Sequence, residues 1–195
     1  LTVLKEAKNN DAQVIGFSSG GIMEEFCKSN KIFHQNIPMI HSPRASFPNF
    51  LFAILVSLKQ IIPIKYEYLK ETIDDLKNTK KCIFSGKLTE DNISLKLAKW
   101  IKDIPLVYYP WGLEASAIRF KNSLQENSKI HTSIEDVIEA SHNSISTWEN
   151  KNKFKPILIQ GKDDLIKTKE RWSIIKEYFK TRDIGYEEVF SVDGN

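Results

Sequence analysis

Cysteine is nearly absent from this chain of 195 residues. Cys27 and Cys82 lie far apart, each beside an apolar neighbour, and no second Cys or His stands at ligand spacing from either. That excludes a disulfide scaffold and a zinc site, and reads as two buried or half-buried thiols of a reducing, cytoplasmic compartment. A long apolar run is also missing. The most hydrophobic stretch, Phe50 to Leu58, stops at Lys59, about half of the ~20 residues a membrane-spanning helix needs. No basic head followed by a short apolar stretch opens the chain, so no secretory signal is visible. Charge of one sign is lacking too: the net charge is only +3. Arginine is scarce, limited to Arg44, Arg119, Arg171 and Arg182. The densest basic runs, Lys77 to Lys81 and Lys151 to Lys155, sit between periodic segments and read as solvated connectors. A nucleic-acid groove would cluster its cations with aromatics between them. Neither a nucleic-acid partner nor a membrane is expected.

What is present is an ordinary globular composition, 41% hydrophobic and 27% charged, which excludes disorder over most of the length. A chain of this size buries roughly 70% of its unfolded surface and supports one ordinary domain or two small ones. Short apolar runs alternate with amphipathic segments. Leu1 to Lys8 is helical; Val14 to Phe17 is a strand, followed by the turn Ser18-Ser-Gly-Gly21 and a helix over Ile22 to Lys28. Ile32 to Ile37 is a second strand. Ser42-Pro43 begins a helix, Pro48 forces a kink or restart, and the segment to Leu58, apolar nearly all round, is expected to be buried. Tyr66 to Lys77 is a charged amphipathic helix. The pattern lapses from Asn78 to Gly86, where we place a hinge. Beyond it come a helix from Thr89 to Trp100, a strand over Ile104 to Tyr109, helices over Leu113 to Ser128 and Ile134 to Ala140, a strand over Pro156 to Ile159, a helix over Thr168 to Lys180 and a strand over Tyr186 to Val192. Strands alternating with helices imply an α/β sandwich with a mainly parallel sheet. The chain opens on Leu1 and ends directly after a strand-like run, so an internal piece of a longer protein is expected.

Candidate chemistry is sparse. On the helix from Leu113 the apolar stripe is Leu113, Ala117, Phe120 and Leu124, and 100° per residue puts Glu126 off that stripe. Glu126 is either an exposed helical glutamate or a general base, since a carboxylate at a helix C-terminus opposes the helix dipole. His142 lies between Ser141 and Asn143 and is either a surface histidine or an accessible acid–base group. His131 and His34 read as structural. Ser18 to Gly21 is either a tight turn or an anion cradle; it lacks the dinucleotide and P-loop spacing. Arg44 sits in the first turn of a helix, where a cation is disfavoured, and either snorkels or serves a ligand.

These residues fall in a familiar order. Val14-Ile-Gly-Phe-Ser-Ser-Gly-Gly21, Pro43-Arg44-Ala45, Arg119-Phe-Lys-Asn-Ser-Leu-Gln-Glu-Asn-Ser-Lys129 and His142-Asn-Ser-Ile-Ser-Thr-Trp148 resemble the bifunctional phosphoglucose/phosphomannose isomerases of the sugar isomerase (SIS) superfamily. The resemblance covers nearly the whole chain and departs at Ser144, where that family usually has Glu. It implies a three-layer α/β sandwich of SIS type, flavodoxin-like or Rossmann-like, with residues 1–80 as the C-terminal part of a first SIS domain and 81–195 as a second one truncated at its C-terminus. The activity it implies is aldose–ketose isomerisation of glucose 6-phosphate and mannose 6-phosphate to fructose 6-phosphate, through an enediolate, in glycolysis or gluconeogenesis. Carried over by motif, Glu126 is the catalytic base, His142 opens the sugar ring and Arg44 binds substrate and supports the enediolate. No cofactor or metal is implied. The partners implied are a sugar phosphate and a second copy of the chain, whose histidine reaches across. The family's phosphate loops and a catalytic lysine have no counterpart here, so the segment alone is expected to be inactive. The alternative is a non-catalytic SIS-type module that binds a sugar phosphate for regulation.

Overall fold

The computed structural model describes residues 1–40 and 42–191. The chain divides into two compact units, 1–70 and 71–195.

In the first unit, α1 (Thr2–Asn9) precedes β1 (Ile15–Ser18), α2 (Gly21–Ser29) and β2 (Phe33–Asn36). The two strands pair in parallel, Ile15 opposite Phe33 and Ser18 opposite Asn36. Gly20 and Gly21 take φ of +122° and +69°, backbone that L side chains avoid, which is why the strand-to-helix turn needs this glycine pair. Gly16 lies against the fully buried Cys27: a Cβ added at Gly16 would sit 2.6 Å from the Cys27 sulfur. A 3-10 turn, Pro43–Ser46, leads into α3 (Phe47–Ser57), with Pro48 in the first helical turn. The expected restart at Pro48 is therefore present, because proline's fixed φ and missing N–H suit only a helix start. The expected burial of α3 is not: no residue of it is buried, and Leu51, Ile54 and Val56 are exposed. All-round apolarity says what a helix could bury, but burial needs a facing surface, and within this unit none covers it. The division between the units falls in the first turns of α4 (Tyr66–Ile83). The helix continues past Lys77, where we expected it to end; the run Lys77 to Lys81 that reads as a connector consists of tolerable helix formers. Cys82, on this helix, is exposed rather than buried.

In the second unit four parallel strands, β3 (Ile104–Tyr109), β4 (Ser133–Asp136), β5 (Phe154–Gln160) and β6 (Glu187–Phe190), lie in the order β4-β3-β5-β6. The helices are α5 (Ile93–Trp100), α6 (Glu114–Ser123), α7 (Val137–His142) and α8 (Ile166–Thr181), with a 3-10 segment at Ser144–Glu149. Neighbours alternate across the sheet. Leu106, Tyr108 and Leu158 face a cluster with Val137, Ala140, Trp148, Trp172, Ile175 and Phe179. Val107 and Ile157 face Ala117, with Leu97, Trp100 and Phe120 packed around them. So α7 and α8 cover one face and α5 and α6 the other. This is a three-layer α/β sandwich. The two faces follow from topology: β3 to β4 and β5 to β6 move in opposite directions, and right-handed crossovers then put α6 and α8 on opposite sides. Burial on both faces explains why β3 and the centre of β5 read as unbroken apolar runs. The helix read from Thr89 begins only at Ile93, capped by Asn92. Ile134 to Ala140 is not a single helix, because Ser133–Asp136 pairs with β3 as an edge strand before α7 begins. Val192, the expected end of the last strand, lies outside the described residues.

Candidate functional site

Glu126 lies where α6 passes into a π-helical turn, Leu124–Ser128, closed by Lys129 in the left-handed region at φ +59°. Such wide turns interrupt the regular helical ladder and are frequent at functional sites. Glu126 is exposed, and its carbonyl accepts from the Lys129 ammonium at 2.7 Å. The expected regular helix to Ser128 thus ends early, at Ser123. Because α6 runs back antiparallel to β3, this turn lies by the start of β4, where the Gln125 amide reaches the Thr132 carbonyl at 3.5 Å.

His142 is the last residue of α7 and is exposed. Asp136 caps this helix, its carboxylate accepting from the Ile138 N–H at 2.7 Å. The residues after His142 hold it in place. The Asn143 amide donates to the Glu139 carboxylate at 3.2 Å, and the Ser144 hydroxyl donates to Glu135 on β4. Trp148 is buried against Phe179 with ring centroids 5.2 Å apart, and its indole N–H donates to the Tyr108 hydroxyl at 2.9 Å. The spacing His142–Ser144–Trp148 is therefore an anchor as well as a motif. Burial pushes the Tyr108 phenol up to about 12, against the Trp148 hydrogen bond that pulls it down. Glu135, on β4, was not singled out from the sequence. Its only clue was the serine at 144, which supplies a hydroxyl where the family's glutamate would bring its own carboxylate.

Arg44 belongs to the 3-10 turn Pro43–Ser46 in the other unit; its side chain is outside the described part of the structure. In the turn at Ser18–Gly21, the Ser18 hydroxyl accepts from the Gly20 N–H at 3.2 Å and lies 2.8 Å from the His34 ring. His34 thus acts as a local tie. Within the second unit, α6, which leads into the Glu126 turn, and α7, which ends at His142, pack on opposite faces of the sheet. Among the described residues, no group of three or more His, Cys, Asp or Glu could hold a metal ion, and no helix is long and apolar enough to cross a membrane.

A family profile described as bacterial phospho-glucose isomerase C-terminal SIS domain matches residues 90–195, more than half of the chain. The chain belongs to this family. A bifunctional phosphoglucose/phosphomannose isomerase of Caldicellulosiruptor bescii is 26% identical over 202 residues, which cover 98% of this chain and 59% of that protein. A second protein of that description, from Pyrobaculum calidifontis, is 27% identical over 149 residues, covering 76% of this chain and 44% of the relative. A D-glucosamine-6-phosphate 4-epimerase of Sulfolobus acidocaldarius is 26% identical over 150 residues, covering 75% and 46%. The chain thus spans about half the length of these relatives. Among solved structures, the C-terminal domain of glucosamine-fructose-6-phosphate aminotransferase from Francisella tularensis superposes with a TM-score of 0.64 at 14% identity, covering 99% of this chain and 60% of that one. A protein assigned as a phosphosugar isomerase in Clostridium difficile 630 gives 0.58 at 14%, covering 98% and 55%. At such identity the structures speak to the fold, an SIS-type α/β sandwich.

Proposed function

We propose that the protein acts in aldose–ketose isomerisation of sugar 6-phosphates, interconverting glucose 6-phosphate or mannose 6-phosphate with fructose 6-phosphate. The observation that carries this reading is Glu126, an exposed carboxylate on a π-helical turn, inside the Arg119 to Lys129 run that resembles the isomerase motif. Isomerisation needs one base to move a proton between C1 and C2. Glu126 takes the C2 proton of the open-chain aldose, an enediolate forms, and the same carboxyl returns the proton to C1. His142 moves a proton at the ring oxygen to open the sugar. Arg44 supports the oxyanion, where a fixed cation stabilises charge that develops only in the transition state. In this reading residues 1–80 are part of a first SIS domain and 81–195 of a second. The resemblance to the isomerases brings the histidine of a second copy to the site, so this reading includes a homodimer in which Glu126 of one copy and His142 of the other act on one substrate.

The test uses the full-length protein and follows conversion of fructose 6-phosphate to each aldose. Glu126→Gln keeps the side chain's size and removes the base, so turnover falls ~10²–10⁴-fold while substrate still binds. Mixing Glu126→Gln and His142→Ala copies restores about a quarter of wild-type activity, because half the dimers then hold one intact shared site. Near-wild-type turnover of Glu126→Gln would return the protein to the binding-module reading. A mixture that stays inactive would remove the shared site.

A further inference from the structure

The winding of the second unit's sheet reverses between β3 and β5: the chain leaves β3 toward β4 and β5 toward β6. Loops diverge at such a point and leave a crevice outside the carboxyl ends of the strands, where open parallel sheets bind their ligands. A cavity of about 290 Å³ occupies this place, walled by the loops after β3 and β5 and by Ser191 after β6. Glu126, His142 and Arg44 are not among its walls. Its volume is at the small end of the ~300–1,000 Å³ typical of ligand sites, room for a single ring rather than a dinucleotide.

The walls are tied in place. The Lys162 N–H donates to the Ser191 hydroxyl at 3.2 Å, and the Asp164 carboxylate accepts from the Trp172 indole at 3.1 Å. Gly161 lets the Asp164 carboxylate come close to the backbone: a Cβ there would stand 2.5 Å from it and push it aside. Gly112, at φ +91°, allows the sharp turn beside Trp111, which is 83% exposed. An indole left open to water at the lip of a crevice is a flat apolar platform with nothing of this unit on it.

The charge of the edge selects the ligand. Asp163 and Asp164 line the cavity against the single cation Lys162, and Glu114 and Asp136 stand along the same carboxyl edge. Burial, with those last two carboxylates, raises the Tyr109 phenol above its ordinary value. An acidic edge repels phosphate. It accepts hydrogen bonds from hydroxyls, while the C–H face of a sugar ring stacks on an aromatic. We infer that the β3/β5 crevice is a second ligand site, for a closed-ring sugar without a phosphate, with Trp111 as stacking platform and Asp163 as hydroxyl acceptor. It is separate from the site of the proposed isomerisation, so either reading can fail alone.

The experiment is a ¹H–¹⁵N NMR titration of the protein with methyl α-glucoside and methyl α-mannoside, whose rings cannot open. It follows the Trp111 indole signal, assigned by its loss in Trp111→Ala. A saturable shift is expected with either glycoside. Affinity read from the remaining signals should drop about tenfold in Trp111→Ala, the worth of one good stacking contact, and several-fold in Asp163→Asn. Both positions are exposed, and an otherwise unchanged spectrum verifies that the variants fold. Glucose 6-phosphate should shift Trp111 only at higher concentration than the glycosides. No shift at any glycoside concentration, tighter binding of glucose 6-phosphate at Trp111, or full affinity in Asp163→Asn would each overturn the assignment. So would loss of self-association in Trp111→Ala without sugar binding to the wild type, which would make the indole a protein contact.

Discussion

Tyr108 offers a test of the core that holds the His142 segment. Its side chain is 1% exposed and its hydroxyl accepts the Trp148 indole N–H at 2.9 Å. Tyr108→Phe keeps the ring and leaves that N–H buried without an acceptor, a loss of about 1–3 kcal/mol at neutral pH. Burial also holds the phenol's pKa up at about 12, against about 10 in an unfolded chain. Between those values the unfolded state releases the proton and the folded state keeps it, so the unfolded state binds fewer protons and stability falls as pH rises. The contribution is whole below pH ~10 and declines by up to about 1.4 kcal/mol per pH unit, so that roughly 2–3 kcal/mol has been lost by pH ~12. Phenylalanine cannot titrate. Urea unfolding followed by circular dichroism from pH 8 to 11.5 should therefore show Tyr108→Phe less stable at pH 8, with the gap to wild type narrowing steeply above pH 10. The comparison cancels the lysines, which titrate in both proteins. Parallel loss of stability in the two proteins above pH 10 would refute the argument that burial keeps this phenol protonated. Equal stability at pH 8 would refute the claim that the Trp148 hydrogen bond matters.

Two further outcomes follow from close contacts. Gly16→Ala drives a methyl to 2.6 Å from the buried Cys27 sulfur and should destabilise by about 1–3 kcal/mol. Adding Cys27→Ala should recover most of that loss in urea unfolding, and strictly additive penalties would sink the packing argument. Asn92, 3% exposed, caps α5 by accepting the Leu95 N–H at 3.1 Å and donates to the Lys87 carbonyl at 2.7 Å. Asn92→Ala should lower stability by about 1–2 kcal/mol, and Asn92→Asp should not be milder at neutral pH, since the carboxylate keeps the cap but sets a buried charge against the Lys87 carbonyl; an unchanged melting temperature in the alanine variant would show the cap to be idle.

The α/β character was written in local pattern. Strands buried on both faces must be apolar throughout, so Leu106 to Tyr109 and Ile157 to Ile159 announce themselves without help from the rest of the chain. Pro48 marks a helix restart, because proline sterics act within a few residues, whereas the helix read from Thr89 starts only at Ile93, after the Asn92 cap. The Ser18 to Gly21 turn is local for the same reason: its glycines alone tolerate the positive φ that it requires. Ser133–Asp136 did not announce itself. An edge strand takes its identity from the neighbour that pairs with it, and Ser-Ile-Glu-Asp carries no alternation long enough to say so. Helix α3 fails in the opposite sense, its composition promising a core that only a facing surface could provide. The candidate site divides along the same line. Glu126 and His142 could be singled out by residue type and motif, but the sequence did not reveal that their helices cover opposite faces of one sheet. That follows from the order β4-β3-β5-β6 and the handedness of its crossovers. The crevice beside Trp111 was invisible for the same reason: Trp111, Asp163 and Ser191 are distant in sequence and share a wall only because three parallel strands end at one edge.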